Sequence, residues 1–243
     1  MKLIQELLAA VHEDAPVRHV LVGIHWTVVC ATRCGMAATL LMEGPHGEPA
    51  VRDVGRLTES SARTLADYAV SDHPTEAGIG LAALNALLPP PPDTVGEADA
   101  GALLVERGRG RTVAVVGHFP FVPRLRAVAQ TMWVLEQRPG PGELPASAAP
   151  EVIPQAEVVA ITSSTFINHT LEGLLALCRP EAFVMLLGPS TPLAPLLFDH
   201  GIGVLSGVQV VDEAAVLRTV GQGATFRQVG GVRRVTWQRP GVT

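Results

Sequence analysis

Small hydroxyl residues close two apolar runs of this 243-residue chain. The first run, VVAITSSTFIN (158–168), ends in Thr162, Ser163, Ser164 and Thr165. The second, LLGPSTPLAPLLF (186–198), breaks at Gly188 and continues through Pro189, Ser190, Thr191 and Pro192. Short hydroxyl side chains leave room for a ligand and donate hydrogen bonds. The N–H groups of a helix that starts just beyond add donors and a positive dipole. Two such loops side by side suit a carboxylate or a phosphate. The same geometry also caps helices with no ligand involved. The readings differ in one respect: binding requires Ser164, Thr165, Ser190 and Thr191 to face one cavity next to His118.

His118 is the titratable residue best placed to join them. It follows Gly117 in VAVVGHFPFVPRL (113–125), at the tip of an apolar run. A histidine there can ligate a metal or move a proton; a blander role is a hydrogen-bonded side chain beside Phe119 and Phe121. A dinucleotide fold places G-x-G-x-x-G at this turn so that the backbone can approach a pyrophosphate. Here only Gly117 is present, so the standard NAD fingerprint is missing. The next apolar run ends in Glu136, where such folds keep an acidic residue for a ribose hydroxyl. Cys30 and Cys34 are four apart with His25 nearby, but strand-and-turn surroundings do not dictate that they converge. No second cysteine pair completes a zinc site, so buried free cysteines are expected. His12, His46, His73, His169 and His200 are scattered, and no G-x-S-x-G, P-loop or H-E-x-x-H occurs. No catalytic nucleophile or base is assigned.

The elements that must position these residues divide at LLPPPPDTVGEADAG (87–101), where four prolines exclude helix and central strand. Before it, MKLIQELLAAVHED is an amphipathic helix. HVLVGIHWTVVCAT alternates as one strand or two, with MAATLLMEG as a partner strand. Two helices follow. TESSARTLADYAV is expected to be capped by Thr58, and SDHPTEAGIGLAALNALLPP carries Pro74 in its first turn and Glu76 at the positive end of its dipole. This is an α+β unit. After the proline block, five short apolar runs (RTVAVVG, TMWVLEQ, EVVAIT, EAFVMLLG, GVLSGVQVVD) alternate with four helical patterns (VPRLRAVAQ, FINHTLEGLLALC, PLAPLLFDHG, DEAAVLRTVGQG). VGGVRRVTW closes the chain as a strand or a hairpin. Alternation of this kind predicts a parallel, doubly wound sheet. Both hydroxyl clusters and His118 then fall at carboxyl ends of strands, where open α/β sheets bind ligands.

Bulk properties narrow the function. Hydrophobic residues make up 47% and charged residues 17%, enough for a real core. A formal charge of −5 with no long basic run argues against nucleic acid. The longest uncharged run, 182–198, is interrupted by prolines and does not read as a membrane span. The N-terminus lacks the pattern of a signal peptide. Three cysteines, an odd number, argue against a disulfide framework and make a reducing cytoplasm the expected compartment. An exposed edge on the N-terminal hairpin sheet is expected to be covered in a homodimer.

Taken together, VAVVGHFPFVPRL, VLEQRPGPGELP, AITSSTFINHTLEGLL and GPSTPLAPLLFDHGIGVLSG resemble the heavy-metal-chelation family, in order and over nearly the whole chain. VGIHWTVV and TEAGIGLAALNALL resemble that family's usual N-terminal partner. The resemblance implies an α/β chain: an enolase N-terminal-like α+β domain over 1–92 and a Rossmann-like domain over 93–243. It implies a metal ion or metal chelate as ligand, with His118 as the metal-binding candidate, and it supplies no ligand set. The positions that match are His118, Phe119, Glu136, Ser164, Thr165, Asn168 and Gly188 to Thr191. Ser163 departs from a pattern that commonly has glycine. A binding protein for a small anionic or metal-chelate ligand is the reading carried forward. The alternatives are a Rossmann-class enzyme using an adenosine-containing ligand and a scaffold with no ligand.

Overall fold

The computed structural model describes residues 1–40, 51–92 and 95–241. The amphipathic N-terminus forms α1 (Lys2–Ala10), which buries Leu3, Ile4, Leu7 and Leu8. The alternating run splits into β1 (His19–Val22) and β2 (Trp26–Cys30), an antiparallel hairpin extended by β3 (Cys34–Ala38). The expected partner strand thus ends at Ala38; its continuation from Leu41 lies outside the described residues, as does His46.

The register of β2 and β3 corrects the expectation of free cysteines. Cys30 and Cys34 are direct cross-strand partners and are joined by a disulfide. A tight hairpin brings two residues four apart to opposing positions, and only the strand pairing reveals that. His25 is exposed and takes no part in the pair.

Two helices follow the hairpin. The short α2 (Ala62–Ala66) is capped by Ser61, whose Oγ accepts from the N–H of Thr64 at 3.2 Å. Thr58, the expected cap, lies in a separate 3-10 turn, because Ser61 has extended backbone and bridges Pro16 between the two. Helix α3 (Pro74–Leu87) starts at its proline, as its sequence predicts, and stops at the proline block. It is buried nearly all round and packs on β2, β3 and α2.

The remaining chain runs α4 (Ala100–Arg107), β4 (Thr112–Val116), α5 (Val122–Arg126), β5 (Thr131–Glu136), β6 (Leu144–Pro145), α6 (Ala149–Val152), β7 (Val158–Thr162), α7 (Leu171–Leu177), β8 (Phe183–Leu187), β9 (Val204–Val210), α8 (Glu213–Gly221) and β10 (Val232–Gln238). Helix α4, capped by Asp99, stands just past the proline-rich stretch. The FINHTLEGLLALC pattern becomes helix only from Leu171, because the hydroxyl cluster forms its own 3-10 turn and His169 has φ +58°. The PLAPLLFDHG pattern is a 3-10 segment, Pro195–His200. Asp212 caps α8 as expected, accepting from Ala215 N at 3.0 Å.

The sheet order is β10-β9-β8-β7-β4-β5-β6, parallel except for β10. Successive residues of β4 point to opposite faces, and both faces are buried. Val113 and Val115 pack with Leu104 of α4 and Leu125 of α5, while Ala114 and Val116 join the larger cluster on the other face. That larger cluster also takes in Leu7, Leu65, Ile79 and Leu84, so one core runs on from the Rossmann-like sheet into the N-terminal helices. Among the described residues, no helix is long and apolar enough to cross a membrane.

Candidate functional site

The chain leaves β4 to build β5 and β6 on one side, then crosses over to build β7, β8 and β9 on the other. The sheet therefore reverses direction between β4 and β7. The crevice outside the carboxyl ends of those two strands is the topological switch point of an open α/β sheet. Gly117 and His118 follow β4, and Thr162 to Thr165 end β7. Gly117 has φ +103°, and a Cβ on it would lie 3.0 Å from Cβ of Thr162. Only glycine turns the chain there while the two strand ends stay in contact. Beyond it, Phe119 stacks on Phe121 with ring centroids 5.1 Å apart, which leaves His118 outside the apolar cluster.

His118 is oriented by a partner the sequence reading missed. Its Nδ1 lies 2.7 Å from Oε1 of Glu143. The other carboxylate oxygen of Glu143 accepts from Gly140 N at 2.8 Å. These hydrogen bonds, first from the Gly140 backbone and then from His118, hold the Glu143 carboxyl below its ordinary range. Glu143 is part of the motif VLEQRPGPGELP, but the loop before it is rich in glycine and proline, and its path depends on β6 pairing with β5. With Nδ1 engaged and the side chain 69% exposed, Nε2 is the ring nitrogen left to meet a ligand. A carboxylate behind a histidine in this way is the usual support for a metal-ligating imidazole.

The hydroxyl clusters do not all face that crevice. Thr165 Oγ1 donates to Thr162 O at 2.6 Å, and Thr191 Oγ1 donates to Ser206 O at 2.9 Å. Ser190 Oγ accepts from Ala38 N at 2.7 Å, tying the Gly188–Thr191 loop to β3. Thr191 and Pro189 line a cleft of about 170 Å³ with Arg33, Cys34, Asn85 and Gln209. Thr165 lines a separate, smaller hollow with Met1, Leu3 and His169. The expectation of one shared cavity is thus corrected: Thr165, Ser190 and Thr191 are buried, and their hydroxyls bond the end of β7, β3 and β9 respectively.

Thr162 and Ser164 remain half-buried at the end of β7, with their hydroxyls 3.0 Å apart. Ser163 is buried, and its Oγ lies 2.7 Å from where a Cβ on Gly188 would stand, so the ends of β7 and β8 touch through these two residues. Asn168 Oδ1 accepts from the Thr170 hydroxyl at 2.7 Å. Glu136 lies at the carboxyl end of β5, and its Oε2 accepts from Gln137 N at 3.1 Å.

The comparisons with known proteins agree with this architecture. Residues 99–237 match the family model DUF364, described as "Putative heavy-metal chelation". Residues 4–88 match DUF4213, which carries the same description. A solved DUF364 structure of unknown function from Desulfitobacterium hafniense superposes with a TM-score of 0.82 at 29% identity, covering 98% of this chain and 97% of that one. A second, from Pyrococcus horikoshii and also of unknown function, gives a TM-score of 0.79 at 16% identity over 98% of each chain, a likeness of fold. No curated protein matches. With the family model spanning more than half of its length, the chain belongs to the DUF364 family.

Proposed function

We propose that this protein binds a metal ion carried by a small anionic chelator, in the crevice at the carboxyl ends of β4 and β7. The observation that carries the reading is the His118–Glu143 pair, 2.7 Å apart, beside the switch point of the sheet. Glu143 fixes the imidazole through Nδ1, so that Nε2 can enter a coordination shell. Thr162 and Ser164 supply half-buried hydroxyls at the neighbouring strand end, suited to the oxygens of an anion. Gly117 lets the backbone approach. Among the described residues, no group of three metal-ligating side chains gathers around His118. A ligand that brings donors of its own fits this donor set better than a bare ion does. The family description points the same way.

Calorimetric titration with zinc nitrilotriacetate, a chelate with open coordination positions, tests the proposal. The intact protein should bind it more tightly than nitrilotriacetate alone. His118→Ala should lose the binding, and Glu143→Gln should weaken it about 10- to 100-fold, as for other partners that orient a metal ligand. Equal affinity in all three proteins would sink the idea.

A further inference from the structure

A second set of metal donors lies away from the crevice, on the face of the N-terminal sheet covered by α8. Cross-strand partners in an antiparallel sheet carry their side chains on the same face. His19 of β1 pairs with Cys30 of β2, and Cys30 pairs with Cys34 of β3, so the three form one row. Val28, Cys30 and Met36 on that face pack against Val216 and Val220 of α8. The packing sets Glu213, the first residue of α8, over the row. The sulfurs of Cys30 and Cys34 and a carboxylate oxygen of Glu213 lie within 4.8 Å of one another. Oε1 of Glu213 is 3.6 Å from Nε2 of His19, while Oε2 accepts from Arg18.

We infer that the reduced Cys30–Cys34 pair, with Glu213 and His19, forms a site for a soft divalent cation such as Zn2+ or Cd2+, closed by the disulfide and opened by a dithiol reductant. Two thiolates and one carboxylate converge, and the exposed imidazole of His19, 3.6 Å from that carboxylate, is the fourth donor that completes a tetrahedral set on metal binding; thiolates select soft cations. Three anionic donors are balanced by the divalent ion together with Arg18. Arg18 holds one carboxylate oxygen, leaving the other for the metal.

The chemistry balances in two steps. A dithiol attacks one sulfur of the disulfide and then resolves its own mixed disulfide; two electrons and two protons pass to the protein, and the reductant leaves as a cyclic disulfide. The two protein thiols then bind the cation and release two protons. Cys34 is the sulfur open to attack, being half-buried and lining the 170 Å³ cleft, whereas Cys30 is fully buried. A metal held here would join the hairpin of the N-terminal unit to the first turn of α8.

The test uses the full chain, reduced with dithiothreitol and freed of it under anaerobic conditions, then titrated with Cd2+. Thiolate-to-cadmium charge-transfer absorption reports the bond. The reduced protein should take up one equivalent with that absorption, and the oxidised protein should show none. Glu213→Gln should weaken binding at least ten-fold, in line with the cost of disturbing a metal shell. Cys34→Ser should weaken binding and remove at least half of the absorption, since one thiolate is left. His118→Ala should leave it unchanged, so failure here and failure of the crevice proposal are separable. Absence of the absorption in reduced wild type, or unchanged affinity in Glu213→Gln, overturns the inference; the second readout stands even if Cys34→Ser does not fold.

Discussion

The hydroxyl of Ser190 accepts a hydrogen bond from the backbone N–H of Ala38 at 2.7 Å, across 152 residues of sequence. Asn85 of α3 reinforces the same junction, donating from Nδ2 to Met36 O at 3.0 Å and to Ser190 O at 3.2 Å. The Gly188–Thr191 loop is thereby a fastening between the small sheet and the large one. Ser190→Ala leaves the half-buried Ala38 N–H without its partner. A lost hydrogen bond of this kind costs about 1–3 kcal/mol. Urea unfolding should show that loss of stability, while zinc-chelate affinity at the crevice stays as it was. An unchanged unfolding midpoint would refute the role.

Glu76 makes folding sensitive to acid. Its side chain is 5% exposed. Burial alone would raise its pKa, but hydrogen bonds from Arg52, through both side chain and backbone, and from Ser71 hold it at about 2 against an ordinary 4.5. The folded form therefore binds this proton more weakly than the unfolded chain. The stabilisation is complete above the unfolded value and is lost as pH falls from about 4.5 through about 2. Its size is up to about 3 kcal/mol. Thermal melts across that range should show wild type losing stability more steeply than Glu76→Gln, which should already be less stable at neutral pH. Parallel pH profiles would contradict this.

Gly188 should not accept a side chain. Its φ is +127°, and a Cβ there would stand 2.7 Å from Oγ of Ser163. Gly188→Ala should cost about 1–3 kcal/mol through backbone strain, with the clash added. The double variant Ser163→Gly, Gly188→Ala should recover the steric part and keep the backbone part. Denaturant unfolding of wild type, Gly188→Ala, Ser163→Gly and the double variant measures the coupling, and strictly additive effects would show that the two residues do not press on one another.

Local pattern alone determined much of this protein. The alternation in 19–32, the periodicity of 2–10, the proline that opens α3 and the proline block that ends it are properties of short segments, and they predict their elements correctly. The strand–helix rhythm after residue 110 was enough to predict a parallel sheet, because short β-branched runs between helical patterns have few other solutions. Local reading stops where neighbours in space decide the outcome. Ser190 and Thr191 read as ligand groups, but the N–H of Ala38 and the carbonyl of Ser206 that their hydroxyls meet come from other parts of the chain. Glu143 reaches His118 only because β6 pairs with β5 and folds the Gly/Pro loop back. Cys30 meets Cys34 through hairpin register, and Glu213 reaches them only when α8 packs on the small sheet. Sequence patterning records the periodicity of a segment and the face it buries. Which side chains converge is set by the packing of elements far apart in the chain, and that packing exists only in the folded core.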